Sequence, residues 1–380
     1  MNPNRRRKII NRREFLKGAA TLGITGLAQH FLRGVNRSEQ VAEPQPPAEP
    51  GTMTPGDLDH HTYLPFVANQ WSSSHGPSKL GLHTINPNQS LPFVQGVHDA
   101  GAHVALVKAL DGLGTLQAIK DVSPETVTIG RSTCVENVDP SGDPAQKAAE
   151  VLAEHMWHWQ WNRDFTDYWE VLNENDPPTV EGHVWLAHFF IEAMDIAEKS
   201  GYKLAIFTYP TGVPKWHEWE AIVETGVFAR AKEGGHILAL HEGNWPVSSH
   251  RWGEPVEDQP PYEDRGVLTG RYRYLYRDFL IPRDEVIPVA FTECGLDPVL
   301  WEPGQPTDGR LERFVEEMIW YDTKLREDDY VIGAAMFTLG PTHEWEYYDY
   351  EELLPDFHNY IVSESLSQFK LPDCGSLEGA

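Results

Sequence analysis

Two glutamates in this sequence each close an apolar run. Glu174 ends the aromatic and aliphatic part of "YWEVLNENDPP" (168–178), and Glu293 ends "VIPVAFTE" (286–293). A carboxylate beside apolar packing is costly unless it is paired, hydrogen-bonded or protonated. Each glutamate is therefore either solvated where a strand stops or presented to a site. Presented to one another, the two divide a task that needs both forms of a carboxyl group. The protonated one donates to a departing oxygen, while the ionised one attacks carbon or activates water.

The elements that must position them follow from the rhythm of the chain. Apolar runs recur at 79–85, 103–110, 126–130, 168–174, 203–209, 236–242, 286–293 and 331–339. They are nearly continuous in apolar residues, as strands covered on both faces of a parallel sheet must be. Between them lie helical patterns at 143–162, 181–201, 214–235 and 310–328. The first opens on Asp143-Pro144, a capping residue ahead of a proline at the first helical position, and the second and third close on glycine. Strands alternating with helices eight times predict an α/β fold, a (β/α)8 TIM barrel. A doubly wound open sheet is the rival, but "GLHTINPNQS" after the first run lacks the glycine spacing of a dinucleotide loop. In a barrel the C-terminal ends of strands line the site. Glu174 on run four and Glu293 on run seven then face each other across the mouth, which is the arrangement glycoside hydrolysis requires.

"WEVLNEND" followed by "PVAFTECG" resembles the superfamily of retaining glycoside hydrolases with catalytic glutamates at the ends of barrel strands four and seven. The resemblance covers about residues 79–350 and rests on Trp169, Glu170, Asn173 and Glu174, then on Thr292 and Glu293. It implies Glu174 as acid/base, Glu293 as nucleophile and Asn173 as a hydrogen-bond partner of the sugar hydroxyl beside the reacting carbon. This chain departs from the family in three places. Asn175-Asp176-Pro177 replaces a proline directly after the acid/base. Strand two offers Lys108, and Arg131 ends strand three, where the family often has an arginine on strand two. Strand eight leaves Phe337 or Trp345 in place of a tryptophan.

Further candidates have plain structural alternatives. His241 ends run six, and Glu242 beside it faces the other way if the alternation of a strand persists. His83 ends run one without a second histidine two residues away, so the paired-histidine metal motif is absent. Arg131 either holds the nucleophile's charge or forms a structural ion pair. Asn244 and Trp245 follow run six as sugar contacts or as turn and core. Trp245, Trp301 and Trp345 fall where loops overhang a barrel site and suit stacking on sugar faces. Trp157, Trp159 and Trp161, spaced by two on a helix, divide between core and surface. Cys294 follows Glu293 and reads as a core thiol.

Three cysteines among 380 residues make no disulfide framework and are most simply unpaired. Residues 1–37 combine a basic head, Arg12-Arg13, Phe15-Leu16-Lys17 and a short apolar stretch, the pattern of a twin-arginine export signal. Residues 38–75 form a Pro- and Glu-rich linker, leaving 76–380 as the catalytic domain. The first 37 residues carry nine Lys or Arg against one Glu, so the remainder holds 22 basic and 56 acidic residues, a net of −34. That surface repels nucleic acid and anionic membranes and argues against a polyanionic substrate. The reading is an exported, monomeric enzyme, secreted or periplasmic, acting on a neutral β-linked poly- or oligosaccharide with neither metal nor organic cofactor implied. A catalytically inactive carbohydrate-binding barrel is the first alternative. A metal-dependent hydrolase using His83, His241 and acidic residues is the second.

Overall fold

The computed structural model describes residues 76–86, 89–244, 247–256, 259–296, 310–341 and 343–367. The export segment and the linker expected at 1–75 lie outside the described residues, as do Trp245 and Trp301. Eight parallel strands close into one barrel in sequence order. They are β1 (Leu80–Thr84), β2 (Leu106–Leu110), β3 (Val127–Arg131), β4 (Tyr168–Glu170), β5 (Leu204–Tyr209), β6 (Ile237–Asn244), β7 (Val289–Leu296) and β8 (Val331–Leu339). The helices between them are α1 (Ser90–Asp99), α2 (Thr115–Val122), α3 (Pro144–Trp159), α4 (Val180–Lys199), α5 (Trp216–Val223) and α6 (Val227–Gly234). Next comes α7, built from Tyr272–Tyr274, a π-helical centre Leu275–Leu280 and Ile281–Arg283, then α8 (Arg310–Leu325) and α9 (Leu354–Ser367). The expected (β/α)8 barrel is the observed fold.

Local chemistry sets the helix ends. The Asp143 carboxylate accepts from the Ala145 N–H at 3.0 Å with Pro144 at the first position, and Thr179 accepts from Gly182 at 3.1 Å. The helix expected over 214–235 is two helices, because Gly226 takes φ 78° between α5 and α6.

The period of two along each strand separates two cores. Leu106, Ile129, Ala205, Ile237, Ala239, Ala290 and Ala335 fill the barrel interior, with Val127, Tyr168 and Ile332 against them. Two residues further along the same strands and on the same face come Lys108, Arg131, Glu170 and His241. The barrel is thus apolar at its base and charged one layer up. The larger core lies between strands and helices. There Trp169 of β4 stacks on Trp159 of α3 at 4.7 Å, and His155 covers the other side of Trp159 at 5.2 Å. With Trp169 fixed outward, Glu170 must point in. Gly130 of β3 makes room for this stack, since a Cβ there would fall 2.8 Å from the Trp169 ring.

One expectation needs correction. Run four does not remain a strand to Glu174: β4 pairs with β5 only through Trp169 and Glu170. In the neighbouring β5, Phe207 and Thr208 both adopt positive φ, and the register of β5 against β6 shifts there. The displaced Thr208 carbonyl accepts from the Glu174 N–H at 2.9 Å, and the Asn173 N–H is taken by the Glu136 carbonyl at 2.7 Å. Similar irregularities fall between Leu240 and His241, between Phe291 and Cys294, and between Leu82 and Thr84. A further one lies between Val289 and Ala290 at the start of β7; such bulges re-aim side chains.

Two outcomes follow from the Trp159 stack. Trp159 is fully buried whereas Trp157 and Trp161 are 69% and 75% exposed. Trp159→Ala should cost about 3–5 kcal/mol in denaturant unfolding, and Trp157→Ala less than about 0.5 kcal/mol. His155 hydrogen-bonds Cys134 Sγ at 3.2 Å and the Val135 carbonyl at 3.1 Å. Burial pushes it down from the ordinary 6.5 to about 4, although the backbone bonds oppose this. The unfolded chain therefore takes up a proton before the folded one does. The stability gained from a neutral His155 is complete above about pH 6.5 and is lost as pH falls toward 4, on the order of 3 kcal/mol. The stability difference between wild type and His155→Leu should shrink over that window; a constant difference would refute the assignment.

Candidate active site

The charged layer converges on Glu293. Its Oε1 is 2.9 Å from Lys108 Nζ, 3.6 Å from Arg131 Nη1 and 3.7 Å from His83 Nε2. Its Oε2 lies 3.7 Å from His241 Nδ1. One carboxylate oxygen is therefore crowded by cations while the other faces His241 and Glu174. Burial alone pushes the Glu293 carboxyl up, yet the surrounding positive groups hold it well below the usual range. The permanent charges are Lys108 and Arg131. His241 and His83 also face the carboxylate and favour its charged form, His241 ahead of Lys108; burial first and Lys108 second push the proton affinity of His83 itself down.

Glu174 enters from beyond β4. Its Oε1 is hydrogen-bonded to His241 Nδ1 at 3.0 Å. Single oxygens of Glu174 and Glu293 and a ring nitrogen of His241 all lie within 4.8 Å of one another. Glu174 holds φ 51°, a left-handed conformation rare for a residue with a side chain. The Thr208 carbonyl fixes that conformation, and the Thr208 hydroxyl ties down the preceding turn by donating to the Leu172 carbonyl at 2.5 Å. Such strain concentrates at functional sites.

Most of the other candidates meet here. Asn173 is half-buried beside Glu174, and its Oδ1 is buried without a hydrogen-bond partner among the described residues. His83 Nδ1 and the Thr338 hydroxyl are 2.6 Å apart. Phe337, half-buried, lies against the His83 ring at 4.8 Å and meets Trp345 and Tyr348 edge-on at 5.3 and 5.2 Å. These rings make an aromatic corner at the mouth. Arg131 does both things considered for it: it faces Glu293 and lies 3.6 Å from Glu136.

Two candidates are placed differently. Asn244 was read as a sugar contact or as turn and core; β6 runs on through it, it is fully buried, and its amide donates to the Ser248 carbonyl at 3.1 Å, which closes the loop after the strand and fits the second reading. Lys108 has no exposed surface, so it acts on Glu293 from behind and does not reach a ligand directly. Glu242 does point away. It accepts from the Gly270 and Arg271 N–H groups and the Tyr321 hydroxyl, and burial pushes it up to about 7. Cys294 is buried outside the site, as expected of a core thiol.

Glu170 was counted only as part of a motif. It is fully buried on the inner face with Oε2 2.9 Å from Lys108 Nζ. The same step of two that carries Leu106 to Lys108 carries Tyr168 to Glu170, and that spacing is legible in the sequence.

No protein-family model matches this sequence, and a search of curated proteins finds no match. Among solved structures, the chain is similar to a family 39 glycoside hydrolase from the gut symbiont Bacteroides cellulosilyticus WH2, with a TM-score of 0.50 and 10% identity over 78% of this chain. It spans 65% of that structure's length. It is also similar to a β-mannanase from Thermomonospora fusca (TM-score 0.39, 12% identity, 72% of this chain and 82% of that one). A family 1 β-glucosidase from Thermotoga maritima matches at TM-score 0.41 and 11% identity, over 77% of this chain and 99% of that one. The structural neighbours are glycoside hydrolases; at these identities the likeness is one of fold.

Glu174, His241 and Glu293 also present the donor set of a metal site. The electrostatics oppose it. A divalent cation there would share Glu293 with Lys108 at 2.9 Å and Arg131 at 3.6 Å, and like charges at such range repel strongly in a buried setting. Adding zinc or a chelator should leave the melting temperature unchanged. A zinc-dependent rise that disappears in Glu174→Gln would establish the metal site instead.

Proposed function

We propose that this chain is a retaining glycoside hydrolase acting on β-linked neutral poly- or oligosaccharides. The carrying observation is the approach of Glu174 to Glu293 within 4.8 Å, with Glu293 alone backed by permanent cations. Carboxyl pairs about 5–5.5 Å apart serve double displacement, whereas pairs about 6.5–9.5 Å apart leave space for an inverting water. The close approach therefore supports retention.

In this reading Glu293 Oε2 attacks the anomeric carbon, since Oε1 is engaged by Lys108. The bond to the leaving oxygen breaks as Glu174 donates its proton there. The product of this step is a neutral ester at Glu293. Glu174, now ionised and held by His241, removes a proton from water, and that water displaces Glu293 with a second inversion. Phe337 and Trp345 offer ring faces for a sugar, and Asn173 Oδ1 offers an unused acceptor for a hydroxyl. The twin-arginine pattern at Arg12-Arg13 supports, as part of the same proposal, an activity outside the cytoplasm. A carbohydrate-binding barrel without activity is the rival, and the ionised, strongly supported Glu293 favours the enzyme over it.

The two glutamates should fail differently. Glu293→Ala should abolish turnover of every substrate. Glu174→Ala should lose about 10²–10⁴-fold on substrates with poor leaving groups but still react with activated aryl glycosides. Azide should then restore turnover and yield a β-glycosyl azide, because azide attacks without a base. Equal behaviour of the two variants with azide would overturn the division of roles, and wild type inert toward all glycosides would favour the binding protein.

A further inference from the structure

Lys108 is fully buried, and its ammonium lies 2.9 Å from two carboxylates, Glu293 Oε1 and Glu170 Oε2. Glu170 is as buried as Lys108, and neither of its carboxylate oxygens has a hydrogen-bond partner among the described residues, so the ion pair with Lys108 is its one polar contact there. A carboxylate so placed is expensive, and the nucleophile alone would satisfy Lys108 in the resting enzyme. The second carboxylate becomes necessary only if the first loses its charge. On the reading above, Glu293 does so: attack converts its carboxylate into a neutral ester.

We propose that Glu170 is a positioning residue that acts through Lys108, taking over its charge whenever Glu293 is neutral. Before attack, Lys108 is shared between Glu293 and Glu170. The new bond from Glu293 Oε2 to the anomeric carbon removes the negative charge from Glu293, and the leaving group departs with the Glu174 proton. Lys108 then remains a buried cation with Glu170 as its counter-ion. Arg131 has a parallel arrangement, with Glu136 3.6 Å away on its other side.

The test needs no substrate. Glu293→Gln reproduces the neutral, isosteric state of the ester. Denaturant unfolding at neutral pH is compared for wild type, Glu170→Gln, Glu293→Gln and the double variant. Each single variant leaves Lys108 one carboxylate; the double variant leaves none, so its loss of stability should exceed the sum of the singles. Glu170→Asp in the Glu293→Gln background should retain stability, because charge matters here and shape does not. If the double variant fails to fold, adding Lys108→Met should restore folding. Additive losses would overturn the proposal. So would Glu170→Gln being better tolerated than Glu170→Asp, or a triple variant that stays unfolded. The cycle is independent of turnover: its failure leaves the glycosidase reading intact, and an inert wild type leaves the charge exchange intact.

Discussion

A buried ammonium has to be neutralised, and this constraint organises the mouth of the barrel. Lys108 has no solvent access, and an unpaired charge there would cost several kcal/mol. Its two carboxylates come from β4 and β7, strands far from β2 in sequence. Only a closed barrel in fixed register delivers both. His83 is level with Lys108, Arg131 with Glu170, and His241 with Glu293. A slip of one residue in any of these strands would turn the charged group out against the helices and leave an orphaned partner inside. The charged layer therefore depends on the apolar layer beneath it and on the Trp169–Trp159 stack, which decides which face of β4 looks inward.

Glu174 obeys a different rule. It is not on the ladder but on the turn that leaves it, in a backbone conformation that Thr208 imposes. This separates the two carboxylates in kind. Glu293 sits within β7, beside a register shift of that strand, with cations at its back, suited to remaining ionised. Glu174 sits on irregular backbone beside a histidine, with no cation of its own, suited to exchanging a proton. The difference in environment supports the proposed division between acid and nucleophile better than the type of residue, which is the same.

Much of this was legible in the sequence because strands covered on both sides are nearly uniform in apolar residues, so a polar residue at a run's end stands out. That contrast found Glu174, Glu293, His83, His241 and Arg131. It failed where irregular backbone intervenes. Nothing in "KLAIFTY" announces two positive-φ residues at Phe207 and Thr208, and nothing announced that β4 would stop at Glu170. It was undecided at Asn244, where β6 continues past the expected strand end and the asparagine is spent on its own loop. Glu170 was missed for the opposite reason: it lies within a run, where a polar residue is discounted unless its partner across the barrel is known. Lys108 is that partner, and only the folded barrel brings the two charged ends within 2.9 Å.

The most direct measurement is to treat the protein with an activated 2-deoxy-2-fluoro-β-glycoside and locate any covalent adduct by peptide mass spectrometry. The account predicts one glycosyl ester, on Glu293, accompanied by loss of activity. An adduct on Glu174 would reverse the roles assigned here, and an unlabelled enzyme releasing product of inverted configuration would contradict the double-displacement mechanism itself.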